Sequence, residues 1–151
     1  MSEILDYRME FARRYAADEV MDGFGDVEAQ VMEATGGRGA DVVFECAGKP
    51  ETVEQAVLCA AIGGRVGLVG IPEEDVVPVP IHQARRRELT LQNVRRSRFT
   101  VPSSIALVES GRMDLDVLAT HFFPLDETAR AMDLVADYAD GVIKAVIRIR
   151  E

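Results

Sequence analysis

The fold of this chain turns on residues 39–72, GADVVFECAGKPETVEQAVLCAAIGGRVGLVGIP. Ala40 to Cys46 is a short apolar run with Val42 and Val43 beside Phe44, the composition of a strand buried on both faces of a parallel sheet. Ala47-Gly48 ends it. Pro50 can open a helix because its missing N–H falls where no intrahelical partner exists. Val53, Ala56, Val57, Ala60 and Ala61 then recur at helical spacing, and Gly63-Gly64 reads as the helix stop. Arg65 to Val69 is a second apolar run, closed by Gly70-Ile71-Pro72. Strand, helix and strand in this space predict a βαβ unit, and therefore an α/β fold with a parallel sheet.

The totals set limits around that unit. A chain of 151 residues can bury one real core, and 48% hydrophobic with 28% charged residues is ordinary for a globular protein. A formal charge of −9 argues against nucleic acid and anionic membrane surfaces as general partners. No apolar run has the length of a membrane span, and no signal peptide is read at Met1, so a cytoplasmic location is expected. The two cysteines, Cys46 and Cys59, read as reduced structural thiols.

Outward from the unit, Asp6 reads as the cap of a helix with Met9, Ala12, Tyr15 and Ala16 inward. Asp18 to Met21 reads as a short strand, and Val27, Val31 and Ala34 line a helix that stops at Gly36-Gly37. Beyond the unit, prolines at 78 and 80 make Val76 to Ile81 an extended edge segment. Gln83 to Arg87 is a helical turn and Glu88 to Val94 a strand. Pro102 to Glu109 is a helix, Asp114 to Leu118 a turn, and His121 to Pro124 extended. Leu125 to Ala139 is an amphipathic helix with Ala129, Met132, Leu134 and Val135 on its apolar face. Ile143 to Ile149 is the last strand.

FECAG followed by GGRVGLVGIP resembles the second half of the nucleotide-binding domain in medium-chain zinc-type alcohol and polyol dehydrogenases, the sorbitol dehydrogenase branch in particular. The resemblance runs from about Ser2 to Ile149. It implies an incomplete Rossmann-like, doubly wound parallel sheet over residues 1–118. Residues 119–151 would be a C-terminal segment returning to a catalytic domain. It also implies that Met1 stands at the end of the second sheet strand of a longer protein. NAD is the implied cofactor, and hydride transfer from a secondary alcohol or polyol the implied reaction.

Residue by residue, the resemblance places the ribose-binding acid on Glu3 and an adenosine-side arginine on Arg8. Cys46, Ala47 and Gly48, with Val69, Gly70 and Ile71, would line the adenine and nicotinamide halves of the cofactor. Ligands of open α/β sheets bind at that carboxyl edge. Val94 and Arg96 would meet the nicotinamide ribose and the substrate, while Arg95 replaces a residue that is commonly aromatic. Lys144 matches a basic residue near the diphosphate. The resemblance further implies a homodimer or homotetramer joined through the sheet edge at Leu89 to Val94 and Val76 to Ile81.

The departures matter as much. No G-x-G-x-x-G occurs, so the phosphate-cradling turn is missing. The zinc-ligating cysteine, histidine and glutamate set is absent as well, and neither His82 nor His121 has partners at metal-ligand spacing. The isolated chain is therefore expected to be inactive. The alternative is a non-catalytic remnant that binds nucleotide weakly or serves only association. With two central strands missing, the strand at residues 18–21 could pair directly with 41–46, the chain could dimerise through the gap, or it could stay partly molten.

Overall fold

The computed structural model describes residues 1–149. Its chain is mixed α/β and divides into two compact units, one made of Met1, Glu3–Val20 and the chain from Phe99 onward, the other of Ser2 with Met21–Arg98.

The three-stranded sheet lies in the second unit. Strand β1 (Ser2–Glu3) pairs with β2 (Met21–Asp22) in a two-stranded sheet. Asp18 to Val20 is not in a strand, and β2 does not pair with the segment at 41–46, so direct pairing of those two segments is not the arrangement adopted. After helix α1 (Asp6–Tyr15) of the first unit, helix α2 (Val27–Ala34) starts on Asp26, whose Oδ1 accepts from Ala29 N at 2.9 Å. Strand β3 (Ala40–Glu45), helix α3 (Pro50–Cys59) and strand β4 (Ala60–Leu68) form the expected βαβ unit, with β3 and β4 parallel. Helix α4 (Ile81–Arg86) leads to β5 (Thr90–Asn93), which adds in parallel to β4. Residues 76–80 join no sheet.

Two expectations about this unit are corrected. Helix α3 ends at Cys59, and Gly63-Gly64 lie inside β4 rather than at the helix stop. Ala60 is already extended, and Arg87 donates to the carbonyls of Leu58 and Ala60, taking the place of a glycine cap. Gly63 then takes φ +74°, with its N–H on Arg87 O at 2.7 Å, where the register between β3 and β4 shifts.

The second correction concerns burial. One face of the sheet carries Val43, Val66 and Leu91, in line across the three strands, and packs with Ala56 and Ala60. The opposite face carries Val42 and Phe44, which are 48% and 69% exposed. Strand β3 is thus buried on one face only.

In the first unit, α1 is followed after Phe99 by α5 (Val101–Glu109), β6 (Ala119–Pro124), α6 (Thr128–Ala136) and β7 (Lys144–Arg148). Strands β6 and β7 are parallel, which makes a second βαβ unit around buried Phe123, Ala131 and Val142. Leu5, not Asp6, is the N-cap of α1. Of the expected inward face only Ala12 is fully buried, while Tyr15 is half exposed and its ring packs on Phe11 at 4.9 Å. The first turn after Pro124 is a tighter 3-10 helix (Leu125–Glu127), and the buried face of α6 centres on Ala131. Met132, expected inward, is 67% exposed.

Candidate functional site

Glu45, Leu68 and Asn93 are level across β3, β4 and β5, so the three following loops leave the sheet side by side. These are Cys46–Gly48, Val69–Ile71 and Val94–Arg96, all in the second unit. Backbone bonds stitch them together. Val69 N and Gly70 N both donate to Glu45 O, at 2.8 and 2.9 Å, and Val94 N donates to Leu68 O at 2.9 Å.

The Glu45 side chain, 4% exposed, is the anchor. Its Oε1 accepts from Ala47 N at 2.8 Å, Gly48 N at 2.7 Å and Thr52 Oγ1 at 2.8 Å. One carboxylate oxygen thereby ties the end of β3, the turn after it and the first turn of α3. Thr52 Oγ1 also lies 2.8 Å from Lys49 O, an alternative acceptor for its one proton, and its oxygen accepts from Lys49 N at 3.2 Å. Neither Glu45 nor Thr52 is among the residues singled out from the sequence. The available signal was an acid inside an apolar strand, because a buried carboxylate persists only where donors gather on it.

The two glycines serve the contact between loops. Gly48 has φ +70°, and a Cβ there would lie 2.6 Å from Ile71 O. A Cβ on Gly70 would lie 2.2 Å from Gly48 N and 2.6 Å from Glu45 Oε2. At either position a Cβ would run into the backbone of the other loop, so a side chain there forces the two loops apart.

Two clefts open on this edge. One, of about 310 Å³, is lined by Val69, Ile71, Val94, Arg95 and Arg96. The other, of about 320 Å³, lies over Glu45, Leu68, Gly70, Asp75 and Asn93 and shares Val94. Such volumes, next to strand-end backbone groups, fit portions of a dinucleotide. Cys46 is exposed, yet partial burial of its sulfur and the neighbouring Glu45 charge push its thiol up from the ordinary value. Burial pushes the Cys59 thiol up to about 11, which marks it as an inert core group.

Glu3, Arg8 and Lys144 belong to the first unit, apart from Ser2 at the boundary. Glu3 Oε1 accepts from Ile4 N at 2.7 Å and Leu5 N at 3.2 Å, steering the chain into α1. The Arg8 guanidinium lies over the rings of Tyr138, at 5.0 Å, and Tyr7, at 5.8 Å. Tyr7 is itself fixed by donating to Val142 O at 3.2 Å. Lys144 is exposed at the start of β7. His121 is held by Thr120 Oγ1 at 2.9 Å and Asp140 Oδ2 at 3.4 Å, and it stacks on Phe123. Among the described residues no three His, Cys, Asp or Glu side chains gather as metal ligands. The residues present do not fit a zinc ion.

The chain spans about 40% of the length of the curated relatives it matches. An alcohol dehydrogenase of Cupriavidus necator is 34% identical over 147 residues, covering 95% of this chain and 40% of that protein. The L-arabinitol 4-dehydrogenase of Hypocrea jecorina is 28% identical over 154 residues, covering 98% of this chain and 41% of that one. Among solved structures, an alcohol dehydrogenase from Escherichia coli in complex with NADH superposes with a TM-score of 0.87 at 21% identity. It covers 98% of this chain and 43% of that structure, and it shows the same fold. The family model described as zinc-binding dehydrogenase matches residues 1–110, and the chain belongs to that family.

Proposed function

We propose that this chain is the cofactor-holding part of an NAD-linked alcohol or polyol dehydrogenase of the zinc type. The observation that carries the reading is the alignment of three strand-end loops on one carboxyl edge, tied together through Glu45. Open α/β sheets take their ligands at that edge. The similarity to an alcohol dehydrogenase solved with NADH supports NAD as the cofactor.

NAD, held by these residues, would supply a hydride acceptor for the carbon of a secondary alcohol. This chain's residues bind and orient. Glu3 would accept hydrogen bonds from the adenosine ribose hydroxyls and repel a 2′-phosphate, and Arg8 would lie on the adenosine side. Cys46, Ala47, Gly48, Val69, Gly70 and Ile71 would line the dinucleotide with backbone groups. Val94 and Arg96 would meet the nicotinamide ribose, and Lys144 the diphosphate. The location is cytoplasmic in this reading. No helix among the described residues is long and apolar enough to cross a membrane.

NADH fluorescence on titration with the chain tests the proposal. Saturable enhancement is expected, weaker with NADPH, and Glu3→Ser should narrow the gap between the two. No binding of either nucleotide defeats the reading and leaves association as the role. That second reading has its own observation, the β5 edge. Thr90–Asn93 has a ladder partner on β4 alone, and an open edge pairs readily with a second copy. Light scattering should report a homodimer or homotetramer that a charge at Val79 weakens, and a monomer at high concentration would refute it.

A further inference from the structure

From Leu89 to Val108 the sequence has no Asp or Glu, yet it places Arg95, Arg96 and Arg98 within four positions, in a chain of formal charge −9. Arg95 and Arg96 line one cleft together with Val69, Ile71 and Val94. Both are exposed, and neither has a carboxylate within ion-pair distance among the described residues, a condition they share with most arginines of the chain. The acids of the adjoining cleft, Glu45 and Asp75, are not paired with them either. Arg96 is held at φ +35°, a conformation that a non-glycine residue keeps only when its surroundings fix it.

Two exposed arginines lining one cleft offer two guanidinium groups to a single anion. Each presents a planar fork that matches a carboxylate or phosphate through paired N–H···O bonds. We infer that Arg95 and Arg96 form an oxyanion subsite at the ends of β4 and β5, which takes the carboxylate or phosphate of an acidic alcohol substrate. The inference rests on the reading above in one respect, that this edge faces the reacting end of the cofactor. In that reading Lys144 serves the cofactor's own diphosphate, and Arg96, which also meets the nicotinamide ribose, would hold the substrate's anion jointly with Arg95 beside it. The apolar wall of Val69, Ile71 and Val94 would carry the substrate's carbon chain.

The test is a titration of the isotopically labelled chain, followed by the amide signals of residues 69–71 and 94–98 at low ionic strength. Inorganic phosphate should shift Val69, Ile71, Val94, Arg95 and Arg96 saturably. Arg95→Gln should weaken binding about tenfold or more, the scale of a lost charge-assisted hydrogen bond, and Arg95→Lys should fall between it and the parent. Arg98→Gln, the same charge change outside the cleft, should stay within about twofold. Equal losses in Arg95→Gln and Arg98→Gln would mean diffuse attraction and overturn the subsite, as would the absence of saturation. The source of the anion is settled by two further probes. sn-Glycerol 3-phosphate, a phosphorylated secondary alcohol, should bind at least as tightly as pyrophosphate. A preference of about tenfold or more for pyrophosphate would assign the pair to the cofactor diphosphate and refute the substrate role. NADH in the same experiment separates the two proposals. Arg95-dependent phosphate binding without NADH binding keeps the subsite and defeats the nucleotide reading, and NADH binding without phosphate binding does the reverse.

Discussion

The two faces of the β3–β4–β5 sheet come from the same strands and have opposite fates. On one, Val43, Val66 and Leu91 form a row that packs with Ala56 and Ala60, and Val66 has no exposure at all. At the end of that same face Glu45 sits next to Leu68 and Asn93, where its carboxylate gathers the loops. On the other, Val42, Arg65 and Thr90 form one row and Phe44, Gly67 and Gln92 the next. The Phe44 ring lies over Gly67 and uses the space that a missing Cβ leaves. One face holds the unit together and shapes its ligand edge. On the other, the β3 residues Val42 and Phe44 are apolar in sequence but largely exposed, which separates hydrophobicity from burial as properties of a strand.

The comparison is broken most severely at Glu45. Replacing it by Ala removes the acceptor of two backbone N–H groups and the Thr52 hydroxyl at a buried position. The buried Gly48 N–H costs about 1–3 kcal/mol when stranded, and the part-buried Ala47 N–H and Thr52 hydroxyl cost less each, so a loss of about 3 kcal/mol is expected in urea denaturation. Glu45→Gln keeps an acceptor oxygen and should recover most of it. If both variants unfold at the same urea concentration as the parent, Glu45 does not hold the loops.

Next in size is Val66→Ala. Val66 is enclosed between its strand neighbours Val43 and Leu91, with α3 packed over the row. Removing two methyl groups loses their transfer energy and leaves a small cavity, about 1.5–3 kcal/mol by analogy with other large-to-small core changes. A loss under about 0.5 kcal/mol would show a packed face looser than its burial implies.

How much of this was legible in the sequence follows from the same two faces. The βαβ unit was legible, because a short apolar run, a helical repeat and a second run have distinct periods. The loops at its carboxyl edge were placed by the same reasoning. The one-sided burial of β3 was not, because Val42, Val43 and Phe44 are all apolar and the period-2 alternation that separates two faces is absent. The end of α3 was misread for a different reason. Gly63-Gly64 carries a helix-stop signal, but Arg87, far along the chain, capped the helix first. On α6 the larger Met132 drew the apolar face toward itself, whereas the small Ala131 is what fits against the sheet. Glu45 escaped notice because its meaning depends on donors at positions 47, 48 and 52 converging on one oxygen, and convergence is a property of the fold.

The smallest effect is expected on the bare face, and it sharpens the comparison most. Val42 is a β-branched residue of the same strand as Val43, one position away, and Val42→Ala deletes the same two methyl groups as Val66→Ala. With 48% of its surface already in water, the transfer term is roughly halved, and solvent fills the space so that no cavity remains. The loss in urea denaturation should be within about 0.5 kcal/mol, an ordinary surface value, plus a small cost in strand propensity. The measurement is best made at two protein concentrations a hundredfold apart. A loss near that of Val66→Ala at both would mean that the face is covered within the chain. A loss that grows with concentration would mean that another copy covers it, because stability gained through association rises with protomer concentration.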